Sequence, residues 1–261
     1  MNNLLDFLLA RQPKIYASIL RYKKNYNLEK ILFLNLLQDG DIVFDIGANI
    51  GYYTLLFSHL VGKNGQVHAF EPLSPTFIKL SQKIDKEKKY NNLYLNNAAI
   101  GNLDGTVNMY MPDNDHRQAS LTTHNCGSWQ NAKTINSYEC RVLKLDDYIK
   151  DRHIPGLKFI KIDVEGAELL ALQGAIQAIS SYLPIIYLEI CIEWTKNFSY
   201  TPIKIINFLK DLGYTKFYIV SNRIQIMSEF NKEYCDKNLP VTANLLCTIK
   251  NHQLEIDHLI E

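Results

Sequence analysis

The chain has 261 residues, with 28 basic and 27 acidic side chains and a formal net charge of +1. That length buries a substantial core as one domain with an appendage, and the charge balance speaks against nucleic acid or an anionic membrane as a partner. Five cysteines stand singly at 126, 140, 191, 235 and 247; without a C-x-x-C pair they suggest no zinc ribbon or dithiol centre, and reduced thiols in a cytoplasm are expected.

Residues 1–38 carry apolar residues at helix spacing in LLDFLL and ILFLNLL, with a break near Pro13. A helical cap packed on the core is expected. Tyr16, Tyr22 and Tyr26 among Arg21, Lys23 and Lys24 leave a lid or dimer surface as the alternative. Asp6 interrupts the first apolar run and no basic residue precedes it, unlike a signal peptide. No apolar stretch is long enough to span a bilayer, so a soluble, cytoplasmic protein is expected.

From residue 39 to 261 strands and helices alternate, the pattern of an α/β domain with a largely parallel sheet. Strand one, Ile42–Ile46, enters a turn from Gly47 to Gly51 and then an apolar helix, Tyr52 to Leu60. Strand two, Gln66–Phe70, runs into Glu71. Ser74-Pro75 opens a helix that stops at Asn91-Asn92, and the alternating charges from Lys83 to Lys89 mark its solvated face. Strand three is Leu93–Ile100. An insertion of roughly residues 105–145 follows, in which VNMYM and ECRVLKL flank an irregular stretch, Asp113 to Ser137. A loop of that length is usually functional or disordered, and this one lies within reach of the sheet's mouth. Strand four, Lys158–Ile162, ends in Asp163 and leads to a helix from Glu165 to about Ile179. Strand five is Ile185–Ile190, with Glu189 near its end. Thr201-Pro202 opens a helix that Gly213 closes. Strands Lys216–Val220 and Ala243–Ile249 are expected to pair antiparallel at the end of the sheet.

Strand, glycine turn and helix build a nucleotide-sized pocket beyond the carboxyl end of a strand. The glycines permit close backbone approach, and free N–H groups at the helix start can hold a carboxylate or phosphate. A dinucleotide fingerprint requires G-x-G-x-x-G, whereas Gly47 and Gly51 flank Asn49. Asp45 would repel a diphosphate and suits an ammonium group. Glu71 stands where a carboxylate accepts from a ribose diol. S-adenosylmethionine carries an ammonium, a carboxylate and a ribose, matching Asp45, the turn and Glu71 in order.

DIGANIGYYT, HAFEP, NNAAIG, LDDYI, KIDVEGAE with the following GA, and LEI resemble the FkbM family of S-adenosylmethionine-dependent methyltransferases, over roughly Asp41 to Val220. KIDVEGAE after DIGANIG and FEP is the specific part. The resemblance implies a class I, Rossmann-like methyltransferase fold: a mostly parallel seven-stranded sheet with an antiparallel terminal pair, plus N-terminal helices. It also implies methylation, usually of a hydroxyl oxygen.

Acids recur at strand ends, at Asp45, Glu71, Asp163 and Glu189, more often than helix caps explain. Asp45 is expected at the donor's ammonium, or else only tying down the turn made by Gly47, Ala48, Asn49 and Gly51. Thr54 is expected at its carboxylate, Glu71 at its ribose, and Asn97 and Ala98 beside its adenine. Asp163 and Glu165 are the carboxylates expected nearest the methyl group, either serving as general base, with Asp163 alternatively on the ammonium. Glu168 suits the helix dipole. His116, with Arg117 beside it, Ser120 and Glu189 are candidates for the acceptor side, Ser120-Leu121 through a weak family pattern. Asp163, Glu189 and Glu165 offer hard oxygens suited to magnesium, though spacing alone does not favour a metal. A small-molecule, glycan or peptide hydroxyl is the expected acceptor, by analogy. The rival readings are an NAD-linked oxidoreductase and a donor-binding module without chemistry.

Overall fold

The structure, a computed structural model, describes residues 28–87, 91–113, 115–125, 127–227 and 231–252, together with 254, 256, 259 and 260. Most of the expected N-terminal cap, including Tyr16, Tyr22 and Tyr26, lies outside these residues. Eleven strands are present among the described residues: β1 (Ile42–Ile46), β2 (Gln66–Phe70), β3 (Leu93–Asn96), β4 (Ala99–Ile100), β5 (Gly105–Pro112), β6 (Ile135–Leu143), β7 (Phe159–Ile162), β8 (Ile185–Cys191), β9 (Lys216–Val220), β10 (Ile224–Ile226) and β11 (Thr242–Thr248).

Eight of them make one sheet in the order β10-β9-β11-β8-β7-β1-β2-β3. From β3 to β8 every pairing is parallel. The apolar runs VF, FI and II in β1, β7 and β8 suit strands buried on both faces. β11 lies antiparallel between β8 and β9, so the expected antiparallel pair exists and β10 adds an eighth strand at its edge. The chain leaves β1 toward β2 on one side and reaches β7 on the other, which opens a crevice at the carboxyl ends of these strands.

Side chains alternate between faces with period two. Phe44, Ile160 and Leu188 join the core built with Leu172, Ile179 and Leu209. Val43, Phe159 and Tyr187 face the opposite way, onto helices Leu28–Leu36 and Tyr52–Val61. Phe33 of the first helix is fully buried and sits edge-on to Tyr187, Phe57, Tyr53 and Phe159 at 4.9–5.6 Å between centroids. Burying such a ring contributes about 1.5–3 kcal/mol. The helix Leu28–Leu36, the described part of the N-terminal region, is thus built into the core.

Two elements differ from the sequence expectation. The third strand breaks after Asn96, and Ala99–Ile100 turns away to pair with β6 in a separate sheet, β4-β6-β5. The helix expected from Glu165 starts only at Glu168 and is interrupted after Gln173. Glu165 and Gly166 have φ of +54° and +100°, outside helical geometry. Gly174 marks the second break, because a Cβ there would fall 1.9 Å from the Gly101 carbonyl oxygen.

The described residues of the insertion form a hairpin, β5 against β6. Its tip forms short turns at His116–Gln118 and Gly127–Trp129. His124 stacks on Trp194 at 4.1 Å between centroids, with its Nδ1 2.8 Å from Asn197 Nδ2. No helix among the described residues is long and apolar enough to cross a membrane.

Candidate active site

A cavity of about 310 Å³ opens at the crevice. Its floor is Gly47, Asn49 and Glu71 at the ends of β1 and β2; Asp163, Glu165 and Glu189 stand at the ends of β7 and β8. Ala98 and Ile100 wall one end. The hairpin closes the top with Met109, His116, Arg117, Ala119 and Leu121.

Gly47 has φ +81°, and a Cβ on it would lie 1.8 Å from the Asp163 carbonyl oxygen, so only glycine lets β1 and β7 end this close. The turn's own N–H groups are largely engaged. Those of Gly47 and Ala48 donate to Phe70 O, that of Gly51 to Ala48 O, and that of Asn49 to Glu71 Oε2 at 3.0 Å. Ala48 packs with Leu55, Ala69 and Leu80 behind the turn. These N–H groups are thus engaged within the turn, which positions Asn49 and Glu71, while Gly47 and Asn49 themselves line the cavity.

Glu71 also accepts from Leu73 N at 3.0 Å. Burial pushes its pKa up to about 7, although both N–H groups work the other way. Asp45 is fully buried beneath the turn. It accepts from Thr54 Oγ1 at 2.6 Å and lies 3.7 Å from Lys161 Nζ. Its carboxyl is raised by burial, against the Lys161 charge. Thr54 is directed to Asp45 and not to the cavity, which corrects its expected role on the donor carboxylate. Asn97 is likewise corrected: its amide donates to the carbonyls of Glu71 and Pro72 at 2.9 Å and accepts from Ser74 Oγ, clamping the strand ends while Ala98 faces the cavity.

Asp163, Glu165 and Glu189 come together, each with a carboxylate oxygen within 4.8 Å of the others. Burial, then the charges of Asp163 and Glu189, push Glu165 up to about 10. Burial, then Asp163, push Glu189 up to about 8. Glu165 is held from behind, its carbonyl accepting from Ser120 Oγ of the hairpin at 2.8 Å. Ser120 is thus buried in a structural bond and corrected from the acceptor side. Glu168 accepts from Gly166 N at 3.0 Å and lies 3.1 Å from Tyr200 Oη, so it braces the turn. His116 lines the cavity with a buried Nδ1 that has no partner. Arg117 lines it too, held by Asp115 at 3.0 Å.

Lys161 escaped the sequence reading. Its ammonium, 4% exposed, donates to Asp163 Oδ2 at 3.0 Å and lies 5.2 Å from the Tyr53 ring centroid. Burial opposes its charge, yet Asp163 and Asp45 keep its pKa above the ordinary value. The signal was present: a lysine inside the apolar run FIKI, two residues before Asp163 and so on the same face.

The sequence model of the Methyltransferase FkbM domain matches residues 45–216, from the buried Asp45 to the start of β9. The chain belongs to this family. FkbM methyltransferases use S-adenosylmethionine, and the cavity suits that cofactor: the unpaired Asn49 Oδ1 and His116 Nδ1 both border it, and its acidic wall favours a cationic ligand. The dinucleotide alternative falls with this membership.

The FkbM-family relatives include a 31-O-demethyl-FK506 methyltransferase of Streptomyces tacrolimicus, 29% identical over 160 residues, 53% of this chain and 60% of the relative. A hexuronic acid methyltransferase of Haloferax volcanii is 25% identical over 150 residues, 58% of this chain and 56% of the relative. The chain thus spans somewhat more than half the length of each. A solved FkbM methyltransferase from Methylobacillus flagellatus superposes with a TM-score of 0.51 at 16% identity, covering 94% of this chain and 58% of that one, and shares the fold.

Proposed function

We propose that the chain transfers a methyl group from S-adenosylmethionine to a hydroxyl oxygen of a small-molecule, glycan or peptide acceptor. The observation that carries this is the trio Asp163, Glu165 and Glu189 on the same cavity as Asn49 and Glu71. Two relatives support it by name, one acting at an O-demethyl position and one on a hexuronic acid.

When bound, the cofactor supplies a methyl group activated on a sulfonium. The chain's own work is binding, alignment and proton handling. Each Glu71 oxygen accepts one backbone N–H, leaving a lone pair on each for a ribose hydroxyl. Asp163 would take the proton that the acceptor hydroxyl gives up as its oxygen gains the methyl group and the donor's C–S bond breaks, leaving a neutral thioether. Lys161 donates to that carboxylate at 3.0 Å and fixes its orientation. Burial and the neighbouring carboxylates favour the protonated forms of Glu165 and Glu189, and a cation beside them favours their ionised forms.

Calorimetric titration with S-adenosylmethionine and S-adenosylhomocysteine tests the donor. Transfer of a labelled methyl group to hydroxylated acceptors, with and without magnesium, tests the reaction. Micromolar binding and labelled ether product are the expected results. Binding without transfer to any acceptor class would leave a donor-binding module. Activity abolished by chelation would assign the carboxylate trio to a divalent cation.

A further inference from the structure

The polar layer under the site extends beyond the residues of the family match. Register places Asp45 beside Lys161 and Lys161 beside Tyr187, across β1, β7 and β8. One step further along the same face stand Asp163 and Glu189, with Asn244 of β11 opposite Glu189. Beneath them all lies Glu29, in the first turn of the helix Leu28–Leu36 and outside residues 45–216.

Glu29 gathers three donors from three distant segments. Tyr53 Oη donates to its Oε2, Tyr187 Oη to Oε1 at 2.6 Å, and Asn244 Nδ2 to Oε1 at 2.8 Å. Burial, followed by Glu29's own charge, raises both phenols far above their ordinary range, so they remain donors. A phenol that donates to a carboxylate carries more electron density on its ring, and the ring of Tyr53 is the surface facing the Lys161 ammonium at 5.2 Å. Lys161 in turn holds Asp163 at 3.0 Å and Asp45 at 3.7 Å. A chain of contacts thus runs from Glu29 through Tyr53 and Lys161 to the two acids.

We propose that Glu29 is a positioning residue for the donor site: through Tyr53 it fixes the Lys161 ammonium, and through Lys161 the placement of Asp45 and Asp163. The proposal deepens the methyl-transfer reading and rests on it for its effect on donor binding. A carboxylate that only glued a helix to the sheet would change stability and leave the acids where they are. A buried ion pair can fix geometry even where its net contribution to stability is small, which is the property used here.

The test has two readouts on the full chain. The first is the 15N-ammonium signal of Lys161, assigned by its loss in K161R and expected to exchange slowly in the wild type. The second is the dissociation constant for S-adenosylmethionine, measured well below each variant's melting temperature. E29A should broaden or shift the lysine signal and weaken donor binding about 5- to 20-fold, a range typical of couplings between sites. E29Q, which keeps an acceptor oxygen, should restore part of both. Y53L should match E29A, Y53F should fall between it and wild type, and E29A/Y53L should bind no worse than either alone. If E29A is unstable, E29Q and Y53F carry the comparison. A lowered melting temperature with an unchanged lysine signal and unchanged affinity overturns the proposal, as does additivity in the double variant. A lysine signal that responds in protein unable to bind the donor would keep the link and overturn the donor reading instead.

Discussion

Glu71 and Asp163 carry the two most direct tests. Replacing Glu71 by Ala removes the acceptor of two backbone N–H groups and of the proposed ribose contacts. Donor affinity should fall by about 1.5–3 kcal/mol, the range for hydrogen bonds to a charged group, as read by calorimetry; unchanged affinity would mean the ribose is held elsewhere. Asp163→Asn keeps the shape and removes the charge. Labelled transfer should drop by roughly 10²–10⁴-fold, as for loss of a general base, and a full rate would exclude Asp163 from proton handling. The identity of these acids was legible because strand-end carboxylates stand out in apolar runs. Their partners were not. Thr54 lies nine residues from Asp45, in the first turn of the next helix, and Asn97 meets Glu71 and Pro72 only because β2 and β3 pair. Such contacts depend on backbone placement that residue type does not encode.

At the scale of elements, the alternation of strand and helix gave the sheet and most strand bounds to within a residue or two. The interruptions were hidden. In NNAAIG nothing in the composition says that Ala99–Ile100 deserts the main sheet, since the cause is the pairing with Val142 and Leu143 far along the chain. Gly174 was visible as a glycine, but its reason, the Gly101 carbonyl 1.9 Å from a would-be Cβ, is tertiary. Gly174→Ala should therefore push the two segments apart and lower stability by about 1–3 kcal/mol, measured by the denaturant midpoint. Gly174 has φ −78°, so backbone strain would not contribute. A midpoint equal to wild type would show that the Gly101 segment yields freely.

For the whole molecule, the buried acids set the response to pH. Glu71 and Glu168 are raised to about 7, Glu189 to about 8 and Glu165 to about 10, all chiefly by burial, from an ordinary 4.5. Between 4.5 and those values the native state holds protons that the unfolded chain has released, so stability is full below 4.5 and is lost as pH rises. His68 and His124, lowered to about 4 by burial, act oppositely, but only below about 6.5. From pH 7 to 9 the melting temperature should fall, and Glu165→Gln should flatten that fall; a level profile in the wild type would contradict the protonated acid cluster. Position in the sheet has a further consequence, for the order in which the protein is made. β11, residues 242–248, is translated after the other seven strands of the main sheet yet inserts between β8 and β9. While the ribosome still holds those residues, β9 and β10 have no route onto the sheet and Glu29 lacks Asn244, so the nascent chain must wait with an open edge that chaperones are suited to shield.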